Sequence, residues 1–130
     1  MQFLAVIIAA AAAYAFGAVW YMSLSRAWMT SAGIAMGPDG KPAQRSAAPF
    51  VIGAILLVVV AGMMRHIFKM AGLDTLVEGV MGGFGLGAFV VLPWVAMNHV
   101  YAGRPRALTL IDGGYAVIGC TIMGIVLSVM

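Results

Sequence analysis

Charge is what this sequence has least of. Seven Lys and Arg and four Asp and Glu make up 8% of 130 residues, whereas soluble domains carry roughly 25% charged residues. A water-exposed surface cannot be assembled from that inventory. Cysteine is nearly missing too. Cys120 stands alone in an apolar run, so it forms no internal disulfide and suits a small packing residue. Enzyme signatures are lacking as well. Ser23, Ser25, Ser31, Ser46 and Ser128 have no Ser/His/Asp arrangement around them, no carboxylate pair is spaced for acid–base work, and no glycine loop is set to cradle a phosphate. These absences argue against catalysis and call for no cofactor. The net charge of +3 and pI of about 9.4 come from cations scattered singly in loops. They form no basic stripe, so nucleic acid is not an expected partner.

What is present is hydrocarbon: 64% hydrophobic residues and a mean hydropathy of +1.07. Four apolar stretches, about Phe3–Met22, Ala48–Phe68, Leu76–Val100 and Leu108–Val129, match the roughly 20 helical residues that cross a bilayer core. Backbone groups in lipid must pair within their own segment, and alternating strand patterns are missing, so each stretch is read as a helix. The expected fold is an all-α membrane protein, one domain over residues 1–130. Its four transmembrane helices form a compact antiparallel bundle, with short connections after spans 2 and 3 making those neighbours antiparallel. Ala13-Tyr14-Ala15 resembles a signal-peptidase site, yet no Lys or Arg precedes the apolar run, so a retained first span is expected. In loop 1, Trp28, Met29 and Met36 suggest a short interfacial helix with Arg26 facing water. Gly37-Pro38-Asp39-Gly40-Lys41-Pro42 reads as an exposed turn, and Pro49 suits a first helical turn.

Orientation follows from the cations. Arg26, Lys41, Arg45, Arg104 and Arg106 fall in loops 1 and 3, against Arg65 and Lys69 on the other side with Asp74 and Glu78. The positive-inside rule then puts loops 1 and 3 in the cytoplasm and both termini in the periplasm of a bacterial inner membrane.

Small residues recur at every fourth position: Gly79, Gly83 and Gly87 in span 3, and Ala5, Ala9, Ala13 and Gly17 in span 1. Such faces let helices approach closely, which lipid-embedded helices need because water expulsion no longer drives their association. They meet either each other, a second copy or another subunit. The leading functional expectation is accordingly a protein acting through helix contacts, as an accessory or assembly subunit or as a homo-oligomer. On that reading Gly83→Leu would disrupt association and spare insertion. "VIGA" at 51–54 and "VIGC" at 117–120 hint at a duplicated two-helix unit, but the offsets disagree between spans.

Polar and aromatic residues cluster toward loops 1 and 3. Trp20 and Tyr21 close span 1, Pro93, Trp94, Asn98, His99 and Tyr101 lie late in span 3, and Thr109, Asp112 and Tyr115 open span 4. Trp94 and Asn98 share a helix face at four apart, as do Asp112 and Tyr115 at three. Pro93 can kink span 3 and open a shallow cavity there. One reading is a ligand or proton site, with Asp112 as counter-charge and Asn98, His99, Tyr115, Trp20, Tyr21 and Trp94 around it. The other is local: Thr109 and Asp112 resemble a capping box, with the carboxylate favoured by the helix dipole, and the aromatics form an interfacial belt. Met63, His66 and Met70 share one face of span 2 and would suit Cu(I). Eleven methionines spread over every segment argue instead for apolar filling, and no metal site is assigned.

Two stretches carry a family resemblance. "GAVWYMSLSRAWM" (Gly17 to Met29) and "LIDGGYAVIG" (Leu110 to Gly119) resemble the opening and closing motifs of a family of small four-span bacterial membrane proteins, domain-of-unknown-function family seventeen-sixty-one. Gly17, Trp20, Tyr21, Trp28, Asp112 and Tyr115 occupy the matching motif positions. Met22-Ser23 stands where such sequences often have Gly-Pro after the Trp-Tyr pair. The resemblance implies a bacterial inner-membrane helical bundle and no particular activity.

Overall fold

The computed structural model describes residues 2–42 and 46–130; Arg45, counted above for orientation, lies outside them. The helices are α1 (Gln2–Ser23), α2 (Ser25–Ala32), α3 (Ala48–Ala71), α4 (Leu76–Leu86), α5 (Leu92–Tyr101) and α6 (Arg106–Val129), with a π-helical turn, Gly87–Val91, between α4 and α5. Four segments are long and apolar enough to cross a membrane: Gln2–Ser23, Ala48–Ala71, Leu76–Tyr101 and Arg106–Val129. These are the expected spans, each slightly longer than the apolar run because polar end residues also join the helix.

α6 is the axis of the bundle. It packs most extensively against α4 and then α1, while α3 packs chiefly on α1 and barely meets α4. Spans 2 and 3 are thus neighbours in sequence without packing closely on each other. The Gly72–Thr75 connection is short, but each helix goes where close approach is available: α3 to the alanines of α1, and α4 to the small residues of α6. Ala5, Ala9 and Ala13 are fully buried in a core shared with Ala61, Met64, Phe68, Cys120, Met123 and Leu127.

The glycine groove of span 3 is filled by the chain's own α6. A Cβ on Gly83 would collide with the Cys120 carbonyl and lie 2.9 Å from Thr121 Cα, and one on Gly87 would lie 2.7 Å from Val117 Cα. At Gly79 it would strike Ser128 Oγ and the Gly124 carbonyl. The backbones of α4 and α6 thus touch along three turns. The glycine and alanine faces do not meet each other: the first lies on α6 and the second in the core shared with α3 and α6, both within the bundle. The glycine face is not free for a second protein.

Three local readings meet the structure differently. Pro49 does sit in the first turn of α3, and Gly37–Lys41 does form a turn, closed by Gly37 N–H on the Lys41 carbonyl at 2.7 Å with Gly40 at φ +76°. The interfacial helix, however, ends at Gly33, whose φ of +72° caps α2. Met36 lies beyond it, bridged to Pro42. Met29 is 1% exposed, so α2 faces inward onto α6 instead of lying with its apolar side in lipid; Arg26 is exposed, as expected.

A complete capping box does occur, at the start of α4. Thr75 Oγ1 accepts Glu78 N–H, and the Glu78 carboxylate accepts Thr75 N–H at 3.1 Å and the Thr75 hydroxyl at 2.7 Å. Thr75→Ala removes the two bonds of the hydroxyl, from Glu78 N–H and to the Glu78 carboxylate, and leaves the backbone N–H bond to that carboxylate. It is expected to cost about 0.5–2 kcal/mol in unfolding free energy, read by denaturant unfolding of the purified protein in detergent, with the oligomeric state unchanged.

Candidate functional site

α6 begins at Arg106, with Pro105 (φ −62°, ψ 150°) as its extended N-terminal flank and no side-chain cap. Asp112 therefore lies six residues inside the helix, roughly 9 Å from its start. The capping reading of Thr109 and Asp112 is overturned: by that depth every backbone N–H already has its intrahelical acceptor. The carboxylate is free to interact across the bundle.

It does so with two other spans. Tyr21, near the end of α1, donates its hydroxyl to Asp112 Oδ1 at 2.7 Å. His99, near the end of α5, places Nε2 3.6 Å from Asp112 Oδ2. The other imidazole nitrogen, Nδ1, is 2.8 Å from Thr109 Oγ1, which fixes the ring between two points on α6. The side chains of His99 and Asp112 remain 16% and 26% exposed, so the pair is covered but not sealed.

Aromatic rings pack around Tyr21, whose hydroxyl meets the carboxylate. Tyr21 meets Tyr115 edge-on at 5.4 Å and Trp28 edge-on at 6.0 Å, and Phe16 stacks on Tyr115 at 6.3 Å and tilts against Trp20 at 5.8 Å. Tyr115 and Trp20 are each anchored by a polar tip. Tyr115 donates to the Ala13 carbonyl at 2.9 Å, and Trp20 Nε1 donates to the Ile111 carbonyl at 2.9 Å. Glycines make the room: a Cβ on Gly17 would lie 2.7 Å from the Tyr115 hydroxyl, and one on Gly114 2.8 Å from Trp20 Cζ2. The bland belt reading fails for Trp20, Tyr21 and Tyr115, which point inward at specific acceptors.

Two residues expected here are elsewhere. Trp94 is 65% exposed, and Asn98 is also exposed on the outside of α5. The π turn explains both. A regular helix that places Gly79, Gly83 and Gly87 against α6 would carry the same face through Trp94 and Asn98, seven and eleven positions on. Pro93 has no N–H for the Phe89 carbonyl, and the preceding turn widens, with Leu92 N–H returning to Gly87 O. One extra residue in the turn moves the inward face to Leu92, whose side chain fills the space beside Gly113, and on to His99. The accommodation of Pro93 is thus a change of register, and it delivers the imidazole to Asp112. A cavity is described at the opposite end of the bundle, beside Arg65 and Lys69. Thr109, Phe16 and Trp28 are the residues the sequence did not assign to the site; the ten-residue reach from His99 to Thr109 across loop 3 was the available signal for the first.

Met63, His66 and Met70 are exposed on α3. Among the described residues no three His, Cys, Asp or Glu side chains form a group fit for a metal ion.

The fold and this site define a multi-pass helical membrane protein of four apolar helices, with a cluster of interacting polar side chains from three spans at one end. The chain belongs to the family described as "Protein of unknown function (DUF1761)", whose model matches residues 4–128. Comparison with curated proteins and with solved structures gave no match.

Proposed function

We propose that this protein is a membrane-embedded binder of small organic cations, with Asp112 as counter-charge and proton acceptor. The observation that supports this most is the position of Asp112: inside a span, not engaged in capping, and reached by Tyr21 and His99 from two other spans. Intramembrane ionisable groups are costly and mark binding or proton-transfer sites by default. The surrounding groups favour a cation in particular. The carboxylate and the Tyr21 oxygen offer acceptors, and the ring faces of Phe16, Tyr21, Trp28 and Tyr115 attract positive charge, at about 0.5–2 kcal/mol per favourable contact. Protonation at the imidazole–carboxylate pair would compete with the cation for the same charge, which couples binding to proton release.

With loops 1 and 3 in the cytoplasm of a bacterial inner membrane, the site opens to the cytoplasmic side. No covalent chemistry is involved. The accessory-subunit reading rested on glycine and alanine faces that the bundle fills itself, so partner subunits, or a second copy, would dock on the outer faces of α3 and α4.

The test is thermal unfolding of the detergent-solubilised protein against a panel of primary, tertiary and quaternary ammonium compounds, with carboxylates of matched size as controls. A cation at 100 times its Kd stabilises by about 2.7 kcal/mol. Stabilisation by ammonium compounds alone, lost in Tyr21→Phe/His99→Gln, supports the proposal. Equal response to the carboxylates, or none to any cation, contradicts it.

A further inference from the structure

A second polar site lies at the other end of the bundle and owes nothing to Asp112. Arg65 sits six residues before the end of α3, roughly 9 Å inside the span. A guanidinium inside a span is expensive to bury, and it should be well paired. It is not. Nη1 donates to the Leu127 carbonyl, in the last turn of α6, where carbonyls lack intrahelical donors. Nε is buried with no partner, and among the described residues Arg65 has no ion pair. A guanidinium carries five N–H donors in a planar fork suited to oxyanions, so most of this capacity is unassigned.

The guanidinium borders a half-open cavity of about 300 Å³, lined also by Lys69, Gly72, Asp74, Leu127 and Ser128. That volume is at the small end of ligand sites, which run about 300–1,000 Å³. Arg65 and Lys69 bring two cationic side chains to it and Asp74 one carboxylate side chain, with Met130 also on its lining. Lys69 is exposed in the last turn of α3, and Gly72 adds no side chain to the opening. Beyond exposed His66 the outer face of α3 is apolar, with Leu56 57%, Val59 62% and Met63 57% exposed. An anion here would sit at headgroup depth with hydrocarbon running alongside.

We infer that this cavity binds a phosphate group, held by the free donors of Arg65 and by the Lys69 ammonium. Phosphate matches the guanidinium fork with two parallel hydrogen bonds, and Lys69 supplies the second charge from the rim. The group can arrive on a membrane phospholipid or as free phosphate, and the apolar flank of α3 suits the lipid's acyl chains.

The test is native mass spectrometry of the whole protein in detergent, titrated separately with phosphatidylglycerol, with diacylglycerol of the same chains, and with inorganic phosphate. The expected result is one retained phosphatidylglycerol, no specific diacylglycerol adduct, and affinity reduced about tenfold in Lys69→Gln. Lys69→Gln leaves the Arg65–Leu127 bond in place, so its effect is not a folding defect; Arg65→Gln, where it remains folded, should lose the adduct altogether. Retention of inorganic phosphate, with displacement of the lipid by it, would assign the same site to a free anion. Unchanged affinity in Lys69→Gln and folded Arg65→Gln, or equal retention of diacylglycerol, overturns the inference.

Discussion

Gly83→Leu is expected to abolish the folded bundle, not merely to detach it from a partner. At Gly83 even a single Cβ meets the Cys120 carbonyl and Thr121 Cα, which are backbone atoms that cannot rotate aside. Inserting extra methylenes into a packed core costs about 1–3 kcal/mol where side chains can shift. Here the whole of α4 would have to withdraw from α6, losing the approach at Gly79 and Gly87 together. Domains have about 5–15 kcal/mol of stability in all. The measurement is the yield of monodisperse protein in mild detergent, with membrane insertion followed separately by fractionation. Inserted but non-extractable or aggregating Gly83→Leu agrees with an internal glycine face. A well-folded, melting-competent variant that only changes its complex size would show that the face belongs to an intermolecular contact.

Asp112→Asn should have the opposite profile, with the fold kept and binding lost. Asparagine is nearly isosteric and its carbonyl can still accept the Tyr21 hydroxyl, so the loss is limited to the extra strength of a charged acceptor. Neutral hydrogen bonds contribute about 0.5–1.5 kcal/mol and those to charged groups about 1.5–3, which puts the expected destabilisation near 1 kcal/mol. The negative charge is gone entirely. Stabilisation by an ammonium ligand, about 2.7 kcal/mol at 100 times Kd in the parent, should fall to near zero. Asp112→Ala is the informative companion, because it also strands the Tyr21 hydroxyl and should melt lower than Asp112→Asn. If all three proteins bind the cations alike, Asp112 is a structural strut between α1, α5 and α6.

The four spans were legible because an apolar run of about 20 residues has one structural solution in lipid. The small-residue faces of Gly79, Gly83 and Gly87 and of Ala5, Ala9 and Ala13 were legible as contact surfaces, but spacing says that a face closes up and not what it meets. Asp112 was misread locally. Thr109-x-x-Asp112 has the form of a capping box, yet Pro105 starts α6 at Arg106, and a helix end fixed by proline leaves the carboxylate a turn and a half inside. The same pattern at Thr75 and Glu78 is the true cap. Tyr21 and Asp112 are 91 positions apart, so no local signal could join them, although both lie in the stretches that resemble the family. Trp94 and Asn98 were assigned to the site on regular helical spacing. The π turn at Gly87–Val91 shifted that register and brought His99 inward in their place.

Whether the Asp112 cluster holds a ligand decides between a binding protein and a structural strut. The most direct measurement is native mass spectrometry of the protein extracted from its own membrane in lipid discs, with Asp112→Asn prepared in parallel. The account predicts a small basic molecule retained by the parent protein and missing from Asp112→Asn at equal folded yield. A stoichiometric foreign subunit retained by both proteins, with no small molecule in either, would contradict it and establish the protein as a component of a larger membrane complex.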